Sequence, residues 1–144
     1  MQITRQADYA LRTVLHLSRL AQDERASTSQ IAREQRIPSS FLAKIISQLT
    51  IAGFLQTARG ARGGVSMACS PSDVTMLQVI EAIDGPIWLN LCLSDPENCP
   101  FGDDCPIRSV WCEVQAALIE RLKKTTFGDL LTIPHASPIQ TRGS

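Results

Sequence analysis

Four of the five cysteines, Cys92, Cys99, Cys105 and Cys112, follow the spacing C-x6-C-x5-C-x6-C. A thiolate is both a soft metal ligand and a nucleophile. Structural zinc sites draw on tight pairs of ligands two to four residues apart, and this run has none. Wide spacing across a Pro- and Gly-bearing stretch suits a larger object such as an iron–sulfur cluster, which thiolates ligate. Cys92, Cys99 and Cys105 are the candidate ligands. Cys112 lies seven residues further on, on the same helical side as Cys105, as either a fourth ligand or a core thiol facing a partner helix; the small-hydrophobe behaviour of free cysteine favours core. Cys69 shares a strand face with Val65 and Met67 and reads as core by the same reasoning. A reversible disulfide switch without a metal is the alternative chemistry. There is no Ser/His/Asp arrangement, P-loop or dinucleotide glycine pattern, and His16 and His135 are far apart, which argues against an enzyme.

The elements that must position these thiols follow from periodicity. The stretch 86–104, with Pro96, Pro100 and Gly102, has no useful period and reads as an irregular loop. It is entered from a helix over 75–83, with Met76, Val79, Ile80 and Ile83 inward, that Asp84-Gly85-Pro86 breaks. It leaves into a long helix that Cys105-Pro106 starts, with proline at the first helical position. Ile107, Val110, Trp111, Val114, Leu118 and Leu122 keep a coiled-coil-like spacing to about Lys124, so this helix is expected to pair with a second copy; packing back on its own domain is the alternative. Trp88 and Trp111 flank the cysteines and read as packing residues. The tail over 134–144 is polar and expected to be disordered.

The other half of the chain is organised differently. Residues 4–20 read as an amphipathic helix capped by Thr4, with Ala7, Ala10, Leu11, Val14, Leu15 and Leu17 on the apolar side and Arg5, Asp8, Arg12 and Arg19 on the polar one. A polar connection, 23–26, leads to Ser27, which opens a short helix to about Gln35. A tight turn, 36–39, precedes a third helix over roughly 40–51 with Leu42, Ile45, Ile46 and Leu49 inward, stopped by Gly53. Strands over 54–58 and 65–69 flank Arg59-Gly60-Ala61-Arg62-Gly63-Gly64, whose glycines supply the positive φ angles of a hairpin loop. Helix, short helix, turn, helix and basic hairpin is the order of a winged helix-turn-helix. The third helix would enter the major groove of double-stranded DNA with Ser39, Ser40, Ala43, Lys44, Ser47 and Gln48 outward. Arg59 and Arg62, on the hairpin tip, suit the minor groove.

Composition agrees with this division. The 144 residues carry no net charge, yet residues 1–70 hold nine Lys/Arg against four Asp/Glu and residues 71–144 hold five against ten. A neutral protein with one basic half can bind a polyanion through that half. Hydrophobic residues at 44% exclude wholesale disorder, and aromatics at 5% leave the core to Leu, Ile, Val and Ala. No apolar run approaches the ~18 residues that span a bilayer. Asp8, Arg12 and Arg19 interrupt any signal-peptide pattern, so a cytoplasmic setting with reduced thiols is expected. The expected fold is mainly α with a small β-hairpin: a winged helix-turn-helix over 1–70, a connecting helix and cysteine loop over 71–104, and a C-terminal dimerisation helix and segment over 105–133.

With these residues in view, the chain resembles the IscR/NsrR/RirA-type winged-helix regulators that sense through iron–sulfur clusters. The resemblance spans Met1 to about Leu131. It rests on Ile3-Thr4-Arg5-Gln6-Ala7-Asp8-Tyr9-Ala10-Leu11-Arg12, Phe41-Leu42-Ala43-Lys44-Ile45-Ile46, Ala52-Gly53-Phe54-Leu55, the hairpin 59–64, Glu81-Ala82-Ile83-Asp84-Gly85, and the three loop cysteines. It implies a homodimeric transcription factor, most simply a repressor at a palindromic promoter site, with one cluster per subunit held by Cys92, Cys99 and Cys105. IscR-like members supply a histidine three residues after the third cysteine; Arg108 stands there in this chain and has no available lone pair. NsrR-like members resemble it at Asp8, which in them reaches the partner subunit's cluster. The resemblance thus implies a three-cysteine, one-aspartate site holding [4Fe–4S], with [2Fe–2S] as the near alternative, and nitric oxide ahead of oxygen or iron scarcity as the signal. Two departures stand out. The interval from Cys92 to Cys99 is one residue longer than in the commonest IscR and NsrR forms, and Ala43 replaces an acidic residue of IscR, so that protein's dual site preference is not implied. A thiol switch without a cluster and an electron-transfer protein are the competing readings; the second leaves the basic hairpin without a purpose.

Overall fold

The computed structural model describes residues 2–134. The expected tail therefore lies, beyond Pro134, outside the described residues. Helix α1 (Arg5–Ser18) is capped as its sequence predicts: Thr4 accepts from the Ala7 amide. Ser27 likewise caps α2 (Thr28–Gln35), accepting from the Gln30 amide. Arg36 then turns the chain in the left-handed region, φ 54° and ψ 44°. Helix α3 (Ser39–Ile51) follows, with Leu42, Ile45, Ile46 and Leu49 buried as their spacing requires.

Strands β1 (Leu55–Ala58) and β2 (Gly64–Met67) form the expected antiparallel hairpin, with Leu55 opposite Met67 and Ala58 opposite Gly64. A Cβ at Gly63 would stand 2.3 Å from the Ala58 carbonyl oxygen, so only glycine closes the loop this tightly. The segment before α2 is more than a polar connection. Ala26 is fully buried and exchanges two backbone hydrogen bonds with Val65, at 3.0 and 2.8 Å, which adds a third edge to the hairpin.

Helix α4 (Met76–Asp84) carries a complete capping box between Thr75 and Gln78. It buries Leu77, Val79 and Ile80; Met76 and Ile83, expected inward, are half-buried. The 86–104 stretch is more ordered than its lack of period suggests. It contains a single helical turn, α5 (Leu91–Ser94), capped by Asn90, and a 3-10 turn over Pro96–Asn98. Helix α6 (Pro106–Lys124) starts where Cys105-Pro106 predicts. A last turn, α7 (Phe127–Leu130), has its own capping box between Thr126 and Asp129. Phe127 is wholly buried, and its amide donates to the Val74 carbonyl at 3.0 Å.

Two cores result. The larger joins α1, α2, α3, the hairpin and α4, with Phe127 reaching into it from the far end of the chain. The smaller gathers Leu77, Ile80 and Ile87 against Leu11 of α1 and Leu118, Ile119 and Leu122 of α6. The apolar stripe of α6 is therefore split. Its C-terminal part packs back on α4 and α1, while Ile107, Val110 and Val114 stand 67%, 58% and 47% exposed.

Candidate functional site

The helix-turn-helix presents the expected face. Ser39, Ser40, Ala43, Lys44 and Ser47 are exposed along α3. Gln48 differs: it is half-buried, and its amide oxygen is shielded from solvent without a hydrogen-bond partner. The reason is its place next to Leu49, on the flank of the helix rather than its crest. Arg59 and Arg62 are exposed at the hairpin tip. Among the described residues none of Lys44, Arg59 and Arg62 is in an ion pair, so their charges face solvent uncompensated. Tyr9 of α1 meets Phe41 of α3 edge-on, with ring centroids 6.1 Å apart, which ties the outward helix to the body of the fold.

His16 is buried between α1 and α2. Its Nδ1 accepts from the Gln35 amide at 3.1 Å and lies 3.6 Å from a Glu34 carboxylate oxygen. It is a structural residue of the helix pair. Cys69 is half-buried against the main core, and burial first, then the Asp73 carboxylate, pushes its thiol up from the ordinary range. A thiol held protonated in this way is a poor nucleophile.

The three loop cysteines, Cys92 on α5, Cys99 after the 3-10 turn and Cys105 at the N-cap of α6, line one cavity of about 480 Å3. All three thiols are half-buried. Its wall includes Pro100, Ile107 and Trp111, and the apolar side chains of Leu91 and Phe101 stand exposed at its rim. The loop is pinned to α6 where Leu89 donates its amide to the Gln115 side chain at 2.9 Å and where Ile87 is buried against the smaller core. Within the loop, Asn98 donates to the Asp95 carboxylate at 2.7 Å.

Among the described residues no three His, Cys, Asp or Glu side chains converge as the ligands of a single metal ion would. A donor set of three thiols spread around a partly apolar cavity is of the kind a polynuclear iron–sulfur group uses. Cys105 is the N-cap residue of the 19-residue α6.

Within the single chain Cys112 is exposed on α6, on the half of the helix that stands clear of its own domain, and lines a neighbouring cavity with Trp88, Arg108 and Gln115. Trp88, too, remains 43% exposed. Asp8 is placed on the first turn of α1, where its carboxylate accepts from Arg12 Nε at 2.9 Å; both side chains are about half exposed. Two further residues belong to the thiol cavity or its frame: Arg108, noted in the sequence only as the residue at the IscR histidine position, and Asp103, which no spacing singled out. Arg108 lines the cavity, and its guanidinium pairs with Asp103 of the loop. The pair is five residues apart across a loop–helix junction, an interval with no periodic signature.

A family model described as Rrf2, iron-dependent transcriptional regulator, matches residues 3–133. The chain is 29% identical over 133 residues to the HTH-type transcriptional regulator NsrR of Halalkalibacterium halodurans, covering 92% of this chain and 91% of that protein. Among solved structures it is similar to CymR, the global cysteine regulator of B. subtilis, with a TM-score of 0.78, 26% identity and coverage of 90% of this chain and 95% of that one. The T. potens IscR structure shares the fold, with a TM-score of 0.74 at 22% identity over 94% of both chains. With the winged-helix scaffold and the family match extending over nearly all of the chain, this protein belongs to the Rrf2 family of iron-dependent transcriptional regulators, and is a DNA-binding regulator rather than an enzyme.

Proposed function

We propose that this chain is a homodimeric repressor whose affinity for a palindromic promoter is set by a [4Fe–4S] cluster held by Cys92, Cys99 and Cys105, with the partner subunit's Asp8 as fourth ligand and nitric oxide as the signal. The observation that carries this reading is that the three loop cysteines line one cavity of about 480 Å3. When bound, the cluster supplies an iron–sulfide core open to attack by nitric oxide or oxygen and to loss when iron is scarce.

The chain's own residues do the rest. Cys105 joins the site directly to α6, so a change in the loop is felt at the first turn of that helix. The uncovered stripe of Ile107, Val110 and Val114 on α6 offers a second copy an apolar seam. Asp8 is held only by an exposed pair with Arg12, of a type worth about 1 kcal/mol or less, so a carboxylate needed elsewhere is cheaply released. On the DNA side Ser39, Ser40 and Lys44 take phosphates and base edges from α3, with Gln48 at the flank, while Arg59 and Arg62 reach the minor groove. Two such readers in a dimer meet half-sites ~34 Å apart or a multiple of that. The units 1–70, 71–104 and 105–133 divide these tasks into reading, sensing and pairing.

The likeness to CymR supports a second reading, in which the same thiols act as a redox switch without a cluster. Non-denaturing mass spectrometry of protein purified without oxygen separates the two. The expected result is a dimer carrying one four-iron, four-sulfide mass per subunit. A dimer that stays metal-free after reconstitution with iron and sulfide overturns the cluster reading and moves the sensing chemistry to the thiols; a monomer overturns the pairing.

A further inference from the structure

Arg108 is an unusual neighbour for a thiol-lined cavity. It lies three residues after Cys105, on the face of α6 that looks onto the loop, and its side chain is only 20% exposed. It is the one cationic side chain among the residues lining the cavity, which also include the acid Asp95. It also lines the adjoining cavity with Cys112 and Trp88, so it forms part of the partition between the two. It pairs with Asp103, which stands in the loop between Cys99 and Cys105 and is itself 93% exposed. The pair therefore ties the loop segment carrying two of the three thiols back to the helix that starts at the third. Gly102, at φ 70°, gives the loop the reversal that brings Asp103 within reach.

Three thiolates in one partly buried cavity concentrate negative charge, which desolvation makes costly unless a cation stands close. An arginine keeps its charge at every cellular pH and has no lone pair to offer a metal. It cannot act as a ligand, so what it contributes is charge and position.

We propose that Arg108, braced by Asp103, is a positioning residue of the three-cysteine site: it holds the Cys99–Cys105 loop on α6 and supplies the cation that lets the cavity retain an anionic, thiolate-ligated cluster. This rests on the cluster reading and extends it to a residue outside the ligand set. Residues that orient and balance metal ligands in this way change metal retention by about 10–100-fold when removed.

The test compares the full chain with Arg108→Gln, Arg108→Lys and Asp103→Asn, each reconstituted anaerobically with iron and sulfide. Iron loss to a chelator should be about tenfold faster in Arg108→Gln. Arg108→Lys, which restores the cation, should recover most of the retention. In the metal-free proteins, amide exchange over 99–105 should quicken in both Arg108→Gln and Asp103→Asn, a readout that needs no cluster. Equal iron loss in wild type and Arg108→Gln overturns the proposal. So does an Arg108→Lys variant as leaky as Arg108→Gln, which would make shape rather than charge the cause, and so does unchanged exchange in both tether variants. A wild-type chain that takes up no iron overturns the cluster reading first, and the charge-balancing role with it.

Discussion

At the scale of single residues, Asp8 shows how one side chain is read differently by its neighbours and by its family. Its carboxylate takes a hydrogen bond from Arg12 one helical turn away, the ordinary i, i+4 arrangement. A pair this exposed stabilises the fold by about 1 kcal/mol at most. Asp8→Ala should therefore leave the melting temperature nearly unchanged while lowering the iron retained per subunit after reconstitution. Wild-type iron content in that variant would return Asp8 to the role of an ion-pair residue. The cysteines make the complementary point. Their spacing predicts a shared site for Cys92, Cys99 and Cys105, and all three line one cavity. The fold leaves Cys112 on an exposed helical face, because nothing in a seven-residue interval says whether the helix behind it is covered.

At the scale of elements, caps and breakers were the most legible features. Thr4 and Ser27 each accept from a first-turn amide where their sequence places them, and Pro106 opens α6, while Thr75, read only as the start of a helix, is the cap of α4. The element that escaped notice is α7, a single turn too short to show a period. Its capping box nonetheless stands in the sequence as Thr126 and Asp129. The Thr126 amide and hydroxyl hold the Asp129 carboxyl below the usual aspartate range. Such a cap acts fully at neutral pH and weakens only as pH falls through that lowered value. What the cap secures is Phe127, which lies wholly buried in the main core, on the turn that α7 packs against α1 and the Pro71–Asp73 turn. Phe127→Ala should cost about 3–5 kcal/mol in urea-induced unfolding. A loss under about 1 kcal/mol, the size of a surface change, would show that α7 docks independently of the cooperative core.

At the scale of the whole molecule, the division of charge becomes a division of labour. The basic half presents Lys44, Arg59 and Arg62 without ion-pair partners among the described residues, and the acidic half carries the thiol cavity. Lys44→Ala should weaken duplex binding about equally across sequences and flatten the dependence of log affinity on log salt by about one unit per subunit, with iron content unchanged. Fluorescence anisotropy over a salt series measures this, and an unaltered slope would remove Lys44 from the contacts. The sequence by itself determined the winged helix-turn-helix order, the inward face of α3 and the hairpin with its two arginines, because each follows from local periodicity, capping or turn chemistry. Only the tertiary structure decided that Ala26 would edge the hairpin, that Phe127 would return to the N-terminal core, that α6 would bury one half of its stripe and leave the other open, and that Asp103 and Arg108 would frame the thiols. Those outcomes depend on which surfaces meet across long stretches of chain, and such contacts leave no period in the sequence to read.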